Sequence, residues 1–403
     1  MIHVLGLGIG EIRLSAEQQA LIRSAQAVGG GKRQLEALGI APERQIVLNC
    51  PLTDFAAQLR TAHAHGPVCV AADGDPLLFG IGASLLKHFS TSELCFHPHV
   101  SALQAVAAKF AIPWHDTRII SLHGRDNLPR LFAALTHERL LGVYTDNQHS
   151  PDMLAQHLLV RGVRGWHMHI AEALGLPEER LTSCPLEEAS ERSWHPLNII
   201  FFVRDQDTAS PCLGLSEASL AHQGLISKQP VRAFALSLLR LQTDSVLWDL
   251  GAGSGAISLE AACMLRQGQI VAVERDASRI ADIRKNIIRT GAWLVEPVHA
   301  ELEEFLTLNL TVAPDRIFFG GGATGVNVGQ ACAALCPGGQ IVVSAVLFST
   351  LEAVRQTLEN LGWPFTIHQL MHHISVPLGQ DLRLVPDNPV YLITSQKPHP
   401  IHE

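Results

Sequence analysis

The sequence has 403 residues, of which 47% are hydrophobic and 17% charged, and its formal net charge is −8. This length predicts two or three domains with sizeable cores, and the composition excludes a disordered or fibrous chain. The acidic balance gives no electrostatic reason to expect nucleic acid or an anionic membrane as a partner. No stretch is long and apolar enough to span a bilayer. The eight cysteines form no C-x-x-C pair and the first residues lack the features of a signal peptide, so we expect a reduced, cytoplasmic protein.

Short β-rich runs alternate with helical patterns in the first half of the chain. Strands are predicted for residues 2–7, 67–72, 117–122, 141–145 and 196–203, and helices for residues 16–27, 81–88 and 100–111. This alternation predicts an α/β domain with a mainly parallel sheet. The polar, turn-forming residues 205–211 then predict a linker. We therefore expect one domain at residues 1–205, a linker at 206–213 and a second domain at 214–403.

The second half repeats the alternation. Strands are predicted for residues 245–250, 269–273, 316–319 and 340–345, and helices for residues 254–266 and 277–290. Two further β-rich runs, 365–370 and 390–395, are joined without a helical pattern, so we expect an antiparallel hairpin at the sheet edge. A Rossmann-like α/β domain is the prediction.

A glycine-rich turn in the second half carries the strongest chemical signal. It follows a predicted strand and consists of Gly251, Ala252, Gly253, Ser254 and Gly255. Such a turn lets a ligand lie on the free N–H groups at the start of a helix. Glu274 ends the next strand, where a carboxylate can accept both hydroxyls of a ribose. A structural turn beside a surface glutamate is the simpler alternative, but the spacing favours a nucleoside ligand.

The glycines alone do not decide which nucleoside is bound. Gly251, Gly253 and Ala256 satisfy the looser dinucleotide fingerprint, so an NAD-dependent oxidoreductase is a competing hypothesis. The third glycine, Gly255, and the preceding Asp249 are typical of methyltransferases, as is a terminal β-hairpin.

Two loops of the first half follow predicted strands. Gly6, Gly8 and Gly10 come directly after the first strand, and Glu11 then breaks the dinucleotide pattern. The second loop contains Asp73, Gly74, Asp75 and Pro76. Ligands of open α/β sheets collect at the carboxyl ends of strands, so both loops are candidate binding loops, with structural turns as the alternative.

These motifs resemble two methyltransferase families. The first half is similar to the tetrapyrrole methylases (class III), in particular those that act at ring carbon 5; the matches are the two glycine loops and residues 29–36, 97–101, 121–125 and 195–198. The second half resembles class I precorrin methylases that act at carbon 15 and decarboxylate an acetate arm; the matches are residues 224–228, 248–255, 274–276 and 320–322. The resemblance covers nearly the whole chain.

The resemblance implies two S-adenosylmethionine sites. The first would use Gly6, Gly8, Gly10, Asp73, Gly74, Asp75, Pro76 and Ser101. The second would use Ser227, Gly251, Ala252, Gly253, Ser254, Gly255, Glu274, Glu301 and Leu302. Glu301 stands where the family often has aspartate, and Ser227 where it often has threonine.

The resemblance further implies a precorrin substrate of the vitamin B12 pathway, methylated at carbons 5 and 15 and decarboxylated on ring C. Candidate substrate contacts are His123, Arg125, Lys228, Arg232, Gly320, Gly321 and Gly322, although each cation is about as well explained as a solvated surface charge. A homo-oligomer is implied by the first family. No metal site is predicted, because the pairs His63 and His65, and His372 and His373, have no nearby cysteine or acid at a metal spacing. A non-catalytic tetrapyrrole carrier is a further alternative function.

Overall fold

The structure is a computed structural model that describes residues 1–49, 51–124, 127–205, 209–224, 226–308 and 312–399. The candidate residue Arg125 lies outside the described residues, and so do residues 206–208 of the predicted linker. In chain order, the first elements are β1 (Ile2–Gly6), α1 (Ala16–Ser24), β2 (Ala27–Gly30), α2 (Lys32–Ala37), β3 (Gln45–Val47), α3 (Leu52–His63), β4 (Val68–Ala72), α4 (Gly82–Leu85), β5 (Leu94–His97), α5 (Ala102–Lys109), β6 (Arg118–Ser121), α6 (Leu128–His137), β7 (Leu140–Tyr144), α7 (Pro151–Val160), β8 (Trp166–Glu172), β9 (Arg180–Pro185), α8 (Leu186–Ala189) and β10 (Asn198–Arg204).

The remaining elements follow in the second half. They are α9 (Gln229–Leu239), β11 (Val246–Leu250), α10 (Ala256–Ala261), β12 (Gln269–Glu274), α11 (Ala277–Thr290), β13 (Val295–His299), α12 (Leu302–Thr307), β14 (Arg316–Phe319), α13 (Gly325–Ala334), β15 (Gln340–Ala345), α14 (Phe348–Asn360), β16 (Phe365–Leu370), β17 (His373–Leu378), β18 (Asp381–Pro386) and β19 (Val390–Gln396). Among the described residues, none of the helices combines the length and apolar character needed to cross a membrane.

The chain divides into two compact units. The first comprises Met1–Arg125, Leu140–Gln156 and His167–Val203, and the second comprises Asp126–Arg139, His157–Trp166 and Arg204–Glu403. The units are interleaved along the chain, whereas the predicted domains are continuous. The predicted domain ranges therefore remain a prediction.

The first unit contains a parallel sheet with the strand order β3-β2-β4-β1-β5. Apolar side chains cover both faces of this sheet. On one face, Val4 and Val70 pack with Phe55 and Leu59 of α3. On the other face, Leu5 packs with residues of α1 and α2. The carboxyl ends of β1 and β4 lie side by side, which brings the two predicted glycine loops together.

A second sheet in this unit has the order β6-β7-β10-β8-β9. Its strands β6 and β7 are parallel, whereas β10 runs antiparallel to β7 and β9 runs antiparallel to β8. The first half thus holds two sheets where the sequence pattern predicted one. The short connection between β8 and β9 explains why this pair is antiparallel, because a parallel pair needs a long crossover.

The second unit is built on a sheet with the order β13-β12-β11-β14-β15-β19-β16. Strands β11 to β15 are parallel, and β19 pairs antiparallel with both β15 and β16. The strand order reverses between β11 and β14, and ligands of open α/β sheets bind in the crevice at such a switch point. The predicted edge hairpin is confirmed, and the α/β fold class is confirmed for both halves.

Helix α10 is much shorter than the predicted helix 254–266. The backbone N–H groups of Arg266 and Gln267 both donate to the carbonyl of Thr243, at 2.8 Å each. This contact between distant segments diverts the chain from the helix after Ala261. A local pattern cannot reveal such a contact. The exposed hairpin β17–β18, which turns at Gly379, was not predicted either.

Candidate functional site

A cavity of about 670 Å³ opens at the carboxyl ends of β11, β12 and β14 in the second unit. Most of the predicted second-half site residues line it. They are Ser227, Lys228, Gly251, Ala252, Gly253, Ser254, Glu274, Glu301, Leu302, Gly320, Gly321 and Gly322. Gly255 is not among the lining residues; it caps the N-terminus of α10 with a φ of 76°. The structure therefore gathers at one switch point residues that are up to 95 positions apart in sequence (227 to 322).

Two glycine runs face each other across the base of this cavity. A Cβ atom on Gly251 would lie 2.5 Å from the carbonyl oxygen of Gly321, and one on Gly320 would lie 2.8 Å from the carbonyl oxygen of Gly251. The N–H of Gly320 donates to the carbonyl of Leu250 at 2.9 Å. The two backbones approach so closely that side chains do not fit between them. Because these residues have no side chains, a flat ligand has room above them.

Glu274 is held at the end of β12 by the loop that it faces. Its Oε2 accepts from the Gly253 N–H at 2.9 Å and its Oε1 accepts from the Asp276 N–H at 3.1 Å. The Arg279 guanidinium lies 3.8 Å from Oε1, and the glutamate is only 4% exposed. A carboxylate has about four acceptor positions, so oxygen lone pairs remain for hydroxyl donors in the cavity.

Asp249 is a cavity residue that the sequence reasoning noted but did not place in the site. It is 1% exposed, and its Oδ2 accepts from the Ser258 hydroxyl at 2.6 Å. Its Oδ1 has no hydrogen-bond partner among the residues that the structure describes. Burial, with a contribution from the Glu274 charge, raises the pKa of Asp249 to about 6. Buried acceptors are usually hydrogen-bonded, so this oxygen leaves one hydrogen-bonding position unfilled beside the cavity.

We expect Asp249→Asn to stabilise the ligand-free protein at pH 7.5. The folded-state pKa of Asp249 is raised, so the native state binds the proton more tightly than the unfolded state between about pH 4 and pH 6, and stability falls as pH rises through that window. The raised pKa means that the ionised carboxyl lowers the free energy of unfolding by about 3 kcal/mol, and the variant avoids this loss. The amide nitrogen of the variant has no acceptor, which costs about 1–2 kcal/mol. The expected net gain in unfolding free energy is therefore about 1–2 kcal/mol above pH 6.

Urea denaturation of the wild type and the variant at several pH values checks this prediction. The advantage of the variant should disappear as the pH falls through this window. Below about pH 4, where the wild-type carboxyl is protonated in both states, the variant should be the less stable protein by about 1–2 kcal/mol, the cost of its unpaired amide nitrogen. A difference that does not change with pH would show that the charge of Asp249 is not its cause.

Asn327 was missed by the sequence reasoning altogether. It lies on α13, is 2% exposed and lines the cavity beside the glycine run. Its Nδ2 donates to the carbonyl of Gly322 at 2.9 Å, which turns Oδ1 away from that carbonyl. No partner for Oδ1 occurs within the described part of the chain. The one local signal in this segment is Thr324, a residue type that favours the start of a helix; its hydroxyl accepts from the Asn327 N–H and caps α13.

The two candidate cations of the second half have different surroundings. Lys228 is exposed at the cavity, with its Nζ 3.2 Å from Oε2 of Glu217. Arg232 is fully buried (0% exposed) and does not line the cavity. Its Nε donates to Glu260 at 2.8 Å and its Nη1 to the carbonyl of Ser227 at 2.6 Å. The expectation that Arg232 contacts substrate is therefore corrected, because protein acceptors already bind its guanidinium.

The glycine loops of the first unit contact each other as their strands predict. The N–H of Gly74 donates to the carbonyl of Gly8 at 2.9 Å. A Cβ atom on Gly6 would lie 2.7 Å from the carbonyl oxygen of Gly74, and one on Gly8 would lie 2.5 Å from the ring of His99. Gly10 packs in the same way, with a built Cβ 3.0 Å from Gly175. The two loops thus meet through their glycines and form one glycine surface, against which His99 packs.

The other first-half candidates surround these loops. The Asp75 Oδ1 accepts from the Leu77 N–H at 2.8 Å and so folds the turn that contains Pro76. Asp73 is partly exposed and pairs with Arg33 at 2.9 Å. The Ser101 hydroxyl caps α5 by accepting from the Gln104 N–H, and a Cβ on Gly74 would lie 3.4 Å from its Cα.

His123 is exposed and follows β6. Its Nδ1 lies 3.2 Å from the carbonyl oxygen of Thr145, which follows β7. The structure therefore places His123 at the edge of the second sheet of this unit. Its role as a substrate contact remains a prediction.

Comparison with known proteins assigns the family. Residues 1–190 match the family model of the tetrapyrrole (corrin/porphyrin) methylases, and residues 218–397 match the precorrin methyltransferase domain. A decarboxylating precorrin-6Y C(5,15)-methyltransferase of Sinorhizobium sp is 32% identical over 86% of this chain and 85% of that relative.

Two shorter relatives from Salmonella typhimurium each match less than half of the chain. A cobalt-precorrin-7 C(5)-methyltransferase is 29% identical over 46% of this chain and 91% of its own length. A decarboxylating cobalt-precorrin-6B C(15)-methyltransferase is 31% identical over 43% of this chain and 89% of its own length. The chain therefore belongs to the family of decarboxylating precorrin-6Y C(5,15)-methyltransferases.

Proposed function

We propose that the chain is a bifunctional S-adenosylmethionine-dependent methyltransferase of cobalamin biosynthesis. It methylates reduced precorrin-6 at carbons 5 and 15 and decarboxylates the acetate side chain on ring C, giving precorrin-8. The observation that carries the proposal is the presence of two separate glycine surfaces, each at the carboxyl ends of parallel strands in its own unit. Relatives with a single named activity each match less than half of the chain, which supports one activity per half.

The cavity of the second unit fits the cofactor. The N–H groups of Gly251 and Ala252 donate to the carbonyl of Val273, and that of Gly253 donates to Glu274. The acceptor positions that remain on Glu274 suit the hydroxyls of a ribose. Glu301 and Leu302 line the part of the cavity next to them, where an adenine would lie. The unpartnered Oδ1 of Asp249 suits an ammonium group. When bound, S-adenosylmethionine supplies an electrophilic methyl group on a sulfonium.

The protein's own contribution to methyl transfer is positioning. Charge is neutralised in the displacement, so no strong acid or base is required, and holding the reacting atoms in line provides most of the acceleration. The bare backbone of Gly320 to Gly322 lets a flat macrocycle approach closely, and the unpartnered Oδ1 of Asn327 lies on a residue that lines the same cavity. Lys228 at the rim attracts the carboxylates of the substrate. For decarboxylation, the protein desolvates and orients the acetate while the macrocycle accepts the electron pair.

We assign carbon 5 methylation to residues 1–205 and carbon 15 methylation with decarboxylation to residues 214–403, joined by the linker 206–213. The glycine loops at Gly6 to Gly10 and Asp73 to Pro76 would hold the first cofactor, and Glu274 the second. The reaction is placed in the cytoplasm, and a homo-oligomer is expected. No observation favours the NAD-dependent oxidoreductase or the non-catalytic carrier over this assignment.

We expect Glu274→Ala to weaken one of two S-adenosylmethionine sites. Loss of charged hydrogen bonds costs about 1.5–3 kcal/mol, which corresponds to roughly a ten- to hundredfold loss of affinity. Calorimetric titration of the whole chain should give two equivalents for the wild type, and one unchanged plus one weakened site for the variant. Glu274→Gln should weaken the same site, because an amide cannot accept from both ribose hydroxyls and the Asp276 N–H.

The control is Glu304→Ala, which removes an exposed glutamate of α12 outside the cavity. Its titration should match the wild type. One equivalent per wild-type chain, or an unchanged second site in Glu274→Ala, would contradict the two-site proposal.

A further inference from the structure

A cluster of two histidines and one cysteine lies on the first sheet, and none of the three is among the candidate cofactor or substrate residues. His3 is on β1, and Cys95 and His97 are on the neighbouring edge strand β5. In the parallel register His3 lies opposite Cys95, and Cys95 and His97 are two residues apart. Side chains alternate between the faces of a strand, so all three lie on the same face. All three are partly exposed.

The potential ligand atoms of this cluster converge. Nδ1 of His3 lies 3.1 Å from Nε2 of His97, and Sγ of Cys95 lies 3.6 Å from the same Nε2. All three atoms lie within 4.8 Å of one another. Tetrahedral zinc with ordinary bond lengths separates two nitrogen ligands by about 3.3 Å and a nitrogen from a sulfur ligand by about 3.6 Å. Two of the three distances between the ligand atoms therefore match those of a tetrahedral zinc site.

We propose that His3, Cys95 and His97 form a binding site for Zn²⁺ in the first unit. Imidazole and thiolate are the ligands that zinc prefers, and three protein ligands leave the fourth tetrahedral position to water. The thiol of Cys95 gives up its proton to solvent on binding, and each histidine coordinates as a neutral ring. Among the described residues, this is the one group of histidine, cysteine or acidic side chains close enough to hold a metal.

The site would fasten the edge strand to its neighbour. β5 is the edge strand of this sheet beside β1, and the cluster links the side chains of the two strands. His99 follows two residues after His97 and packs against Gly6 and Gly8. The candidate residue Ser101 follows two residues later. Binding of zinc is therefore expected to stabilise the first unit, because a ligand that binds only the folded state raises its stability.

Cobalt(II) is the probe that reports the ligands. The untagged full-length chain, reduced and freed of metal by chelation, is titrated with Co²⁺ and then with Zn²⁺. We expect one equivalent of Co²⁺ to produce a sulfur-to-cobalt charge-transfer band that Zn²⁺ abolishes. Zn²⁺ should also raise the Tm of the wild type. Absence of the band in the wild-type chain would overturn the proposal.

Variants separate a metal site from a hydrogen-bonded cluster. Cys95→Ser should lose the charge-transfer band and the Zn²⁺-dependent rise in Tm. His97→Gln keeps the thiol and should bind Co²⁺ at least about tenfold more weakly. Loss of a residue that only hydrogen-bonds to a metal ligand already lowers metal affinity by about that factor. The matched controls are Cys212→Ser and His65→Gln, both exposed and outside the cluster, which should titrate like the wild type.

Either of two results would refute the site. One is a band that survives in Cys95→Ser, because sulfur would then come from another cysteine. The other is an unchanged affinity in His97→Gln, which is decisive even if Cys95→Ser fails to fold. Circular dichroism of each variant establishes that it is folded before the titration.

Discussion

Arg232→Leu is expected to lower the free energy of unfolding of the second unit by about 3–5 kcal/mol, the usual effect of removing one partner from a buried ion pair. Arg232 and Glu260 are both almost fully buried, with Nε and Oε1 2.8 Å apart. The guanidinium also binds the carbonyls of Ser227 and Leu215. The variant would leave a buried carboxylate with the Leu215 N–H as its remaining donor. Hydrogen exchange of the buried amides of β11 measures the loss.

A double-mutant cycle separates the ion pair from the loss of packing. Arg232→Leu combined with Glu260→Leu should recover much of the stability, because apolar replacement of a whole buried pair is often close to neutral. Arg355→Leu is the surface control, since its partners Glu352 and Glu359 are exposed on α14. It should leave the exchange rates of β11 unchanged. A small effect of Arg232→Leu would mean that the arginine is solvated, as a substrate-binding cation would be.

Gly6→Ala is expected to slow methylation at carbon 5 roughly a hundredfold at limiting S-adenosylmethionine, while loss of carbon dioxide continues. A Cβ on Gly6 would lie 2.7 Å from the Gly74 carbonyl oxygen and 2.8 Å from Cβ of His99. Both glycine loops would have to move apart, and overpacking of this kind costs about 1–3 kcal/mol. Because backbone atoms cannot rotate out of the way, we expect the upper end, roughly a hundredfold loss at the first cofactor site. The product should carry one added methyl group.

Gly31→Ala is the matched control for this variant. Gly31 belongs to the same unit, has an ordinary φ of −67°, and its built Cβ meets the Gln34 side chain at 3.4 Å. Mass spectrometry of the product should show both methyl groups for the control. Two methyl groups from Gly6→Ala would show that the loop is only a turn, and none would show that both transfers depend on one site.

Local patterns were sufficient where the chain decides its structure locally. Helix α11 was predicted at its observed bounds because its sequence carries both end signals: the Asp276 side chain accepts from the Ser278 N–H, and Gly291 ends the helix with a φ of 68°. The glycines at 251, 253 and 320–322, with Glu274, were also placed at the correct strand ends, because each β-rich run before them is visible in the sequence. The resemblance to both methyltransferase families is confirmed.

Properties that depend on distant contacts were not predictable in this way. Arg232 has the sequence context of a motif residue, yet a glutamate 28 positions away binds it in the interior. Asn327 becomes a cavity residue only because Gly322 binds one end of its amide. In the cluster of His3, Cys95 and His97, the first ligand is 92 positions (3 to 95) from the other two, so the sequence alone did not bring the three together.

The reaction of the whole chain with reduced precorrin-6 and methyl-labelled S-adenosylmethionine tests the central claim most directly. Mass spectrometry of the product and capture of the released gas follow both activities in one experiment. Two labelled methyl groups in the product and one molecule of carbon dioxide per turnover are the predicted result. A macrocycle that gains no methyl group, or that gains methyl groups without losing carbon dioxide, would contradict the proposed bifunctional enzyme.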